Sequence, residues 1–163
     1  MVKDINMKTF QTVQRVFALI SALWVGGLIA IGYFVVPVLF SGLLDRKIAG
    51  MVAGNLFRIE AYISVGVCVT LMVLANLLVN RGLNQYRPIR WVLLAMWACS
   101  IVASFILIPW MESVRNAASV EGMSVMLSSS AALFSRLHVA SSLLFLLESL
   151  LGVFLVWRIT KSF

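Results

Sequence analysis

From Leu137 to Trp157 the chain carries 21 residues of which only His138 and Glu148 can ionise near neutral pH. At a rise of about 1.5 Å per residue, a helix over that stretch is about 31 Å long, which matches the apolar thickness of a bilayer. The run is therefore predicted to cross a membrane, and three more runs of the same character precede it. The predicted helices cover about residues 13–40, 45–79, 91–110 and 130–158. Joined by short connections, they make an all-α integral membrane protein of four transmembrane helices in an up-down bundle, with residues 1–163 forming one membrane domain.

Composition supports this class and excludes others. The chain is 62% apolar and 12% charged, whereas soluble domains are about 45–50% apolar and about 25% charged. The net charge of +7 does not point to nucleic acid, because the basic residues flank apolar runs instead of forming a stripe interleaved with aromatics. It reads as a topology signal. One side collects Lys3, Lys8, Arg15, Arg81, Arg87, Arg90, Arg158 and Lys161; the other collects Arg46, Lys47, Arg58, Arg115 and Arg136, offset by Asp45, Glu60, Glu112 and Glu121. The positive-inside rule then places both termini in the cytoplasm, with the protein a multi-pass component of the inner membrane. The apolar run from Val16 to Phe40 exceeds the roughly 7–15 residues of a signal-peptide core, so an uncleaved first span is expected.

Prolines stand near two predicted exits, Pro37 and Pro109, where a missing backbone donor disturbs a helix least. Ala22, Gly26 and Ala30 recur at four-residue spacing, and Gly50 and Gly54 form a second small-residue face. Such stripes let helices approach closely in lipid, so these five residues are the predicted packing positions and a homo-oligomer is the expected assembly. Residues 111–130 read as a polar connection ending in Ser128, Ser129 and Ser130, one of which could cap the fourth helix. Each half also has a proline near the exit of its first helix and a Phe-Arg-polar cluster at the start of its second, a faint internal repeat.

Two polar features carry candidate chemistry. Arg58, Glu60, Glu112, Arg115, Arg136 and His138 are expected near one membrane boundary, where they could hold an anionic or metal-bearing ligand or merely tie helix ends together. Arg58 and Glu60 are two positions apart and cannot pair well with each other. Glu148, near mid-membrane, is the candidate proton relay. A charged carboxylate there costs at least about 2.5–3.5 kcal/mol, so it is expected to shed its charge, to face a watery cleft, or to bond Ser100 or a carbonyl. His138 is the one candidate metal ligand, with Met111, Met123 and Met126 in the neighbouring connection as thioethers suited to copper. Cys68 and Cys99 lie inside apolar runs and read as packing thiols. No nucleotide loop, paired catalytic carboxylates, H-E-x-x-H, nucleophile elbow or C-x-x-C-H occurs, so neither an ordinary hydrolase nor a kinase is expected.

The run Leu23-Trp24-Val25-Gly26-Gly27 through Pro37-Val38-Leu39-Phe40, then Ala49-Gly50 and Phe57, resembles a bacterial membrane domain of unknown function akin to the transmembrane protein 205 family. Pro109, Arg115, Phe134, Leu137-His138 and Ser141 look like the second half of the same pattern, and Val139 stands where a glycine would be expected. The resemblance implies four helices and no assigned activity. A remoter similarity to copper-resistance membrane proteins and to membrane protoporphyrinogen oxidase implies a link to metal or tetrapyrrole chemistry.

Taken together, the residues predict a protein that binds or transports a small ligand at a polar layer in the outer half of the bundle. Arg58, Glu60, Arg115, Arg136 and His138 would contact the ligand, and Glu148 would relay protons. No cofactor is required by this reading. Two alternatives stand beside it: a membrane redox protein with haem or copper at His138, and a structural subunit or scaffold of a membrane complex. The expected partners are the lipid bilayer, further copies of the chain and an unidentified small ligand.

Overall fold

The computed structural model describes residues 2–120 and 125–161, with side chains from residue 11 onward. Glu121 and Met123, and the side chains of Lys3 and Lys8, lie outside the described residues. Within them the chain is helical, with no strand, and four helices are long and apolar enough to cross a membrane: Gln11–Gly42, Arg46–Asn80, Asn84–Val120 and Ala131–Thr160. They are called here the first to fourth spans. The second starts where its sequence supplies a cap: Asp45 Oδ1 accepts from the backbone N–H of Lys47 at 2.7 Å and of Ile48 at 3.4 Å. It stops at a turn in which Gly82 takes φ +93°, so that Gly82 and Leu83 N–H can return to the Val79 and Leu78 carbonyls. Ser130 precedes the fourth span without making a side-chain cap bond; its own N–H donates to Ser128 Oγ at 3.3 Å.

The first helix ends at Gly42, close to its predicted end at 40, but the third runs well past its predicted end at 110. The first helix continues through Val36–Gly42 and the third through Ile108–Val120. Each accommodates its proline by widening beforehand into a π-helical stretch, Ala30–Val35 and Ala103–Leu107. The N–H just before each proline then bonds five residues back, Val36 to the Ile31 carbonyl and Ile108 to that of Ala103. A proline crowds the carbonyl four residues earlier and offers it no donor, and an inserted residue takes up that misfit. The third helix therefore extends ten residues past the predicted end at 110, and Glu112 and Arg115 stand on a helix that buries Val114 and Ala118.

The spans form a ring in which the first packs on the second and fourth, and the third on the same two. Two apolar cores fill it. Towards the end that carries both termini, Phe17, Trp24, Leu71, Ala75, Leu78, Ile89, Leu93, Met96, Leu155 and Ile159 interlock. Towards the hairpin-turn end a smaller cluster joins Leu107, Val114, Phe134 and Leu137. On the second, third and fourth spans the buried polar residues fall between or beside these cores: Glu60 and Ser64, Ser100 and Ser104, Glu148 and Ser149. A polar layer thus crosses the interior of a bundle that is otherwise apolar.

Candidate functional site

Glu60, Ser64 and Cys68 recur every four residues, so a helix sets them on one face, and that face turns inward. Ser64 Oγ donates to Glu60 Oε1 at 2.5 Å and accepts from Trp24 Nε1 on the first span at 2.8 Å. Across the bundle, Ser100 Oγ lies 2.6 Å from Glu148 Oε1 and 3.0 Å from the Met96 carbonyl of its own helix. Each carboxyl thus has a serine partner of its own, Ser64 for Glu60 and Ser100 for Glu148. Glu60 and Glu148 are only 6% and 4% exposed. The free thiols Cys68 and Cys99 border the same layer, each within electrostatic range of Glu148. One turn beyond Ser100, the buried Ser104 hydroxyl has no partner.

This arrangement corrects the grouping of Glu60 with the boundary layer. Two residues on a helix are about 200° apart, so when Arg58 turns to the third span, Glu60 turns to the interior. Arg58 Nη1 pairs with Glu112 Oε1 at 2.9 Å, and Arg58 Nη2 donates to Asn55 Oδ1 at 3.2 Å. Arg115 projects between two other spans. Its guanidinium lies 5.6 Å from the Phe134 ring centroid, and a Cβ at Gly54 would come within 3.3 Å of its Nη1. Phe134 in turn lies parallel to the exposed His138 ring, with centroids 6.5 Å apart. Arg136 is exposed. The predicted site residues therefore divide into a rim (Arg58, Arg115, Arg136 and His138) and an interior pair (Glu60 and Glu148).

The predicted packing residues divide as well. Ala22, Gly26 and Ala30 are exposed, and nothing lies within 4 Å of a Cβ added at Gly26 or Gly50. The close approaches inside the chain are at Gly32, against Phe145, and at Gly152, against Val25 and Met96. As for metal ligation, no group of three or more His, Cys, Asp or Glu side chains among the described residues is arranged to hold an ion. His138 could join a metal or haem centre only with donors of another kind or from another chain.

Trp24, Ser64 and Ser104 were not singled out by the sequence reading, although the four-residue spacing of Glu60, Ser64 and Cys68 was there to mark an inward polar stripe. The interior thus holds two carboxyls, each bonded to a serine hydroxyl, while the rim presents guanidinium groups at the hairpin-turn end. No curated protein and no solved structure matches the chain. One protein family does match, over residues 19–120, a stretch that includes Trp24, Glu60, Ser64, Ser100 and Arg115 but not Glu148.

Proposed function

The chain belongs to that family, described as a domain of unknown function (DUF4149), and since membership brings no activity with it, we propose one from the geometry. The protein binds or carries a small ligand across the inner membrane, with both termini cytoplasmic, and relays protons through the Glu60–Glu148 layer. The observation that supports this reading is the burial of two carboxyls from different spans, each hydrogen-bonded to a serine hydroxyl. Each ionised carboxylate at that depth costs at least about 2.5–3.5 kcal/mol, and two so close would also repel, so the pair retains a proton. Ser64 can accept that proton from one carboxyl while donating its own to the other. Trp24 Nε1 holds the serine oxygen in position while its hydroxyl donates to Glu60.

Infrared spectroscopy of the protein in lipid tests this. A protonated carboxyl gives a carbonyl stretch that shifts when H2O is exchanged for D2O. Wild-type protein at neutral pH should show it, Glu60→Gln should alter the band that remains, and Glu148→Gln should do the same from the other side. A missing band in the wild type, or two bands each indifferent to the other substitution, overturns the relay.

A further inference from the structure

The rim bears on what the ligand is. Among the residues whose side chains are described, each acid is committed away from Arg115: Asp45 caps the second span, Glu112 pairs with Arg58, and Glu60 and Glu148 bond serines in the interior. Arg115 is half-buried, with its guanidinium over Gly54 and against the Phe134 ring and no acid partner among those residues. A guanidinium offers a planar fork of N–H donors that fits a carboxylate with two parallel hydrogen bonds. Arg46, Lys47, Arg58 and Arg136 share that end with it, and the described carboxylates there outside the interior, Asp45 and Glu112, offset two of these five cations. The mouth of the bundle is thus net positive and attracts anions.

Along the second span, Gly54 and Glu60 are six residues apart, so the Arg115 fork lies about 9 Å towards the hairpin-turn end from the buried carboxyl layer. An anion can occupy the first place but not the second, where it would meet two acids in an apolar surround. A neutral acid can. We propose that the ligand is a small monocarboxylate, captured by Arg115 and carried past the layer as the neutral acid after taking one proton from it. This rests on the proton relay proposed above and names its substrate class. The step balances: the Glu60 O–H bond breaks, an O–H bond forms on the substrate carboxylate, and Glu60 is left as the carboxylate. Glu60 is then recharged from water at the rim, so each acid carried inward brings one proton with it.

The test uses the full chain in proteoliposomes with an inward proton gradient, radiolabelled lactate, pyruvate or glycolate outside, and an internal pH dye. We expect uptake of at least one of the three acids well above that of empty liposomes, with internal acidification in proportion. Arg115→Gln should abolish it, and Arg115→Lys, which keeps the charge and the fold but not the fork, should reduce it at least tenfold. Arg87→Gln, at the opposite end, should leave it unchanged. No uptake of any of the three, or equal uptake in both Arg115 variants and the wild type, overturns the inference, as does acidification that follows sodium ions instead of the acids. If the infrared coupling of Glu60 and Glu148 holds while no acid moves, the substrate class alone falls; if that coupling is absent, the relay beneath it falls too.

Discussion

Replacing Gly32 by Ala perturbs the structure at one defined point. The new methyl would enter the ring of Phe145, coming 2.5 Å from Cζ, closer than real carbon contacts allow. The ring has little room to retreat, because it already packs on Tyr33 at 6.0 Å and edge-on to Phe57 at 5.1 Å between centroids. Overpacking of this kind costs about 1–3 kcal/mol. If the ring swings away instead, it gives up aromatic pairs worth about 0.5–1.5 kcal/mol each, which leaves the cost in the same range. Alanine is a better helix former than glycine by about 1 kcal/mol, which masks part of the loss in the single variant. A double-mutant cycle with Phe145→Ala removes that ambiguity, because the propensity gain enters both backgrounds alike. The expected coupling is about 1–3 kcal/mol, and in the Phe145→Ala background Gly32→Ala should change sign and stabilise. Unfolding in mixed micelles, followed by tryptophan fluorescence, measures it. A coupling below about 0.5 kcal/mol, within ordinary additivity, would show that Gly32 is not there to admit the ring.

Other substitutions probe the polar groups one at a time. Ser64→Ala strips Glu60 and Trp24 of their shared partner and should cost about 1–3 kcal/mol in the same unfolding assay. Ser104→Ala removes a buried hydroxyl that has no partner, so it should be neutral or stabilising by up to about 1 kcal/mol. A cycle on Arg58→Ala and Glu112→Ala, whose side chains are 42% and 38% exposed, should return a coupling of about 0.2–1 kcal/mol that shrinks in salt. Gly26→Ala should stabilise the monomer by up to about 1 kcal/mol through helix propensity, since its methyl meets nothing within 4 Å. A change in cross-linked dimer yield would then locate a contact between copies on that face.

Hydropathy alone made the four spans legible, because an 18-residue apolar stretch has few other fates, and the spans match the predicted ones within a few residues at 45–79 and 130–158. The first span's end was placed within two residues, at 40 against Gly42, but the third was ended at 110 because Pro109 was taken as a stop. A helix can absorb one by a local change of pitch, and nothing in Ala30–Val35 or Ala103–Leu107 announces that by composition. Glu60 was placed by its sequence neighbour Arg58, when the two-residue spacing that forbids their pairing also sends one of them inward. The Ser100–Glu148 contact followed from counting residues along antiparallel helices, which works when both are straight up to that level. The Trp24–Ser64 link could not be counted out, because it depends on how the first span rotates, and its exposed small-residue stripe suggested the opposite rotation.

The two hairpins echo each other more closely in structure than in sequence, and the acids depart from the echo in a useful way. In both halves a π-helical stretch ends two residues before the proline. In both, the residue four before the proline pairs with an aromatic of the neighbouring even-numbered span: Tyr33 with Phe145, and Phe105 with Tyr62, each with centroids 6.0 Å apart. A twofold axis along the bundle, exchanging the first span with the third and the second with the fourth, would turn one of these contacts into the other, as a parallel repeat requires. On that common frame Glu60 sits two residues before its aromatic and Glu148 three residues after its own, a stagger of five residues, or about 7.5 Å along the bundle. Ser64, two residues past Tyr62, falls between them. Two acids at equivalent positions would have formed a symmetric pocket at one depth. Staggered acids with a hydroxyl between them span a distance along the membrane normal instead, with Glu60 nearer the arginine rim and Glu148 nearer the end that carries both termini. That order lets a proton that joins a ligand at the rim be passed on towards the opposite side.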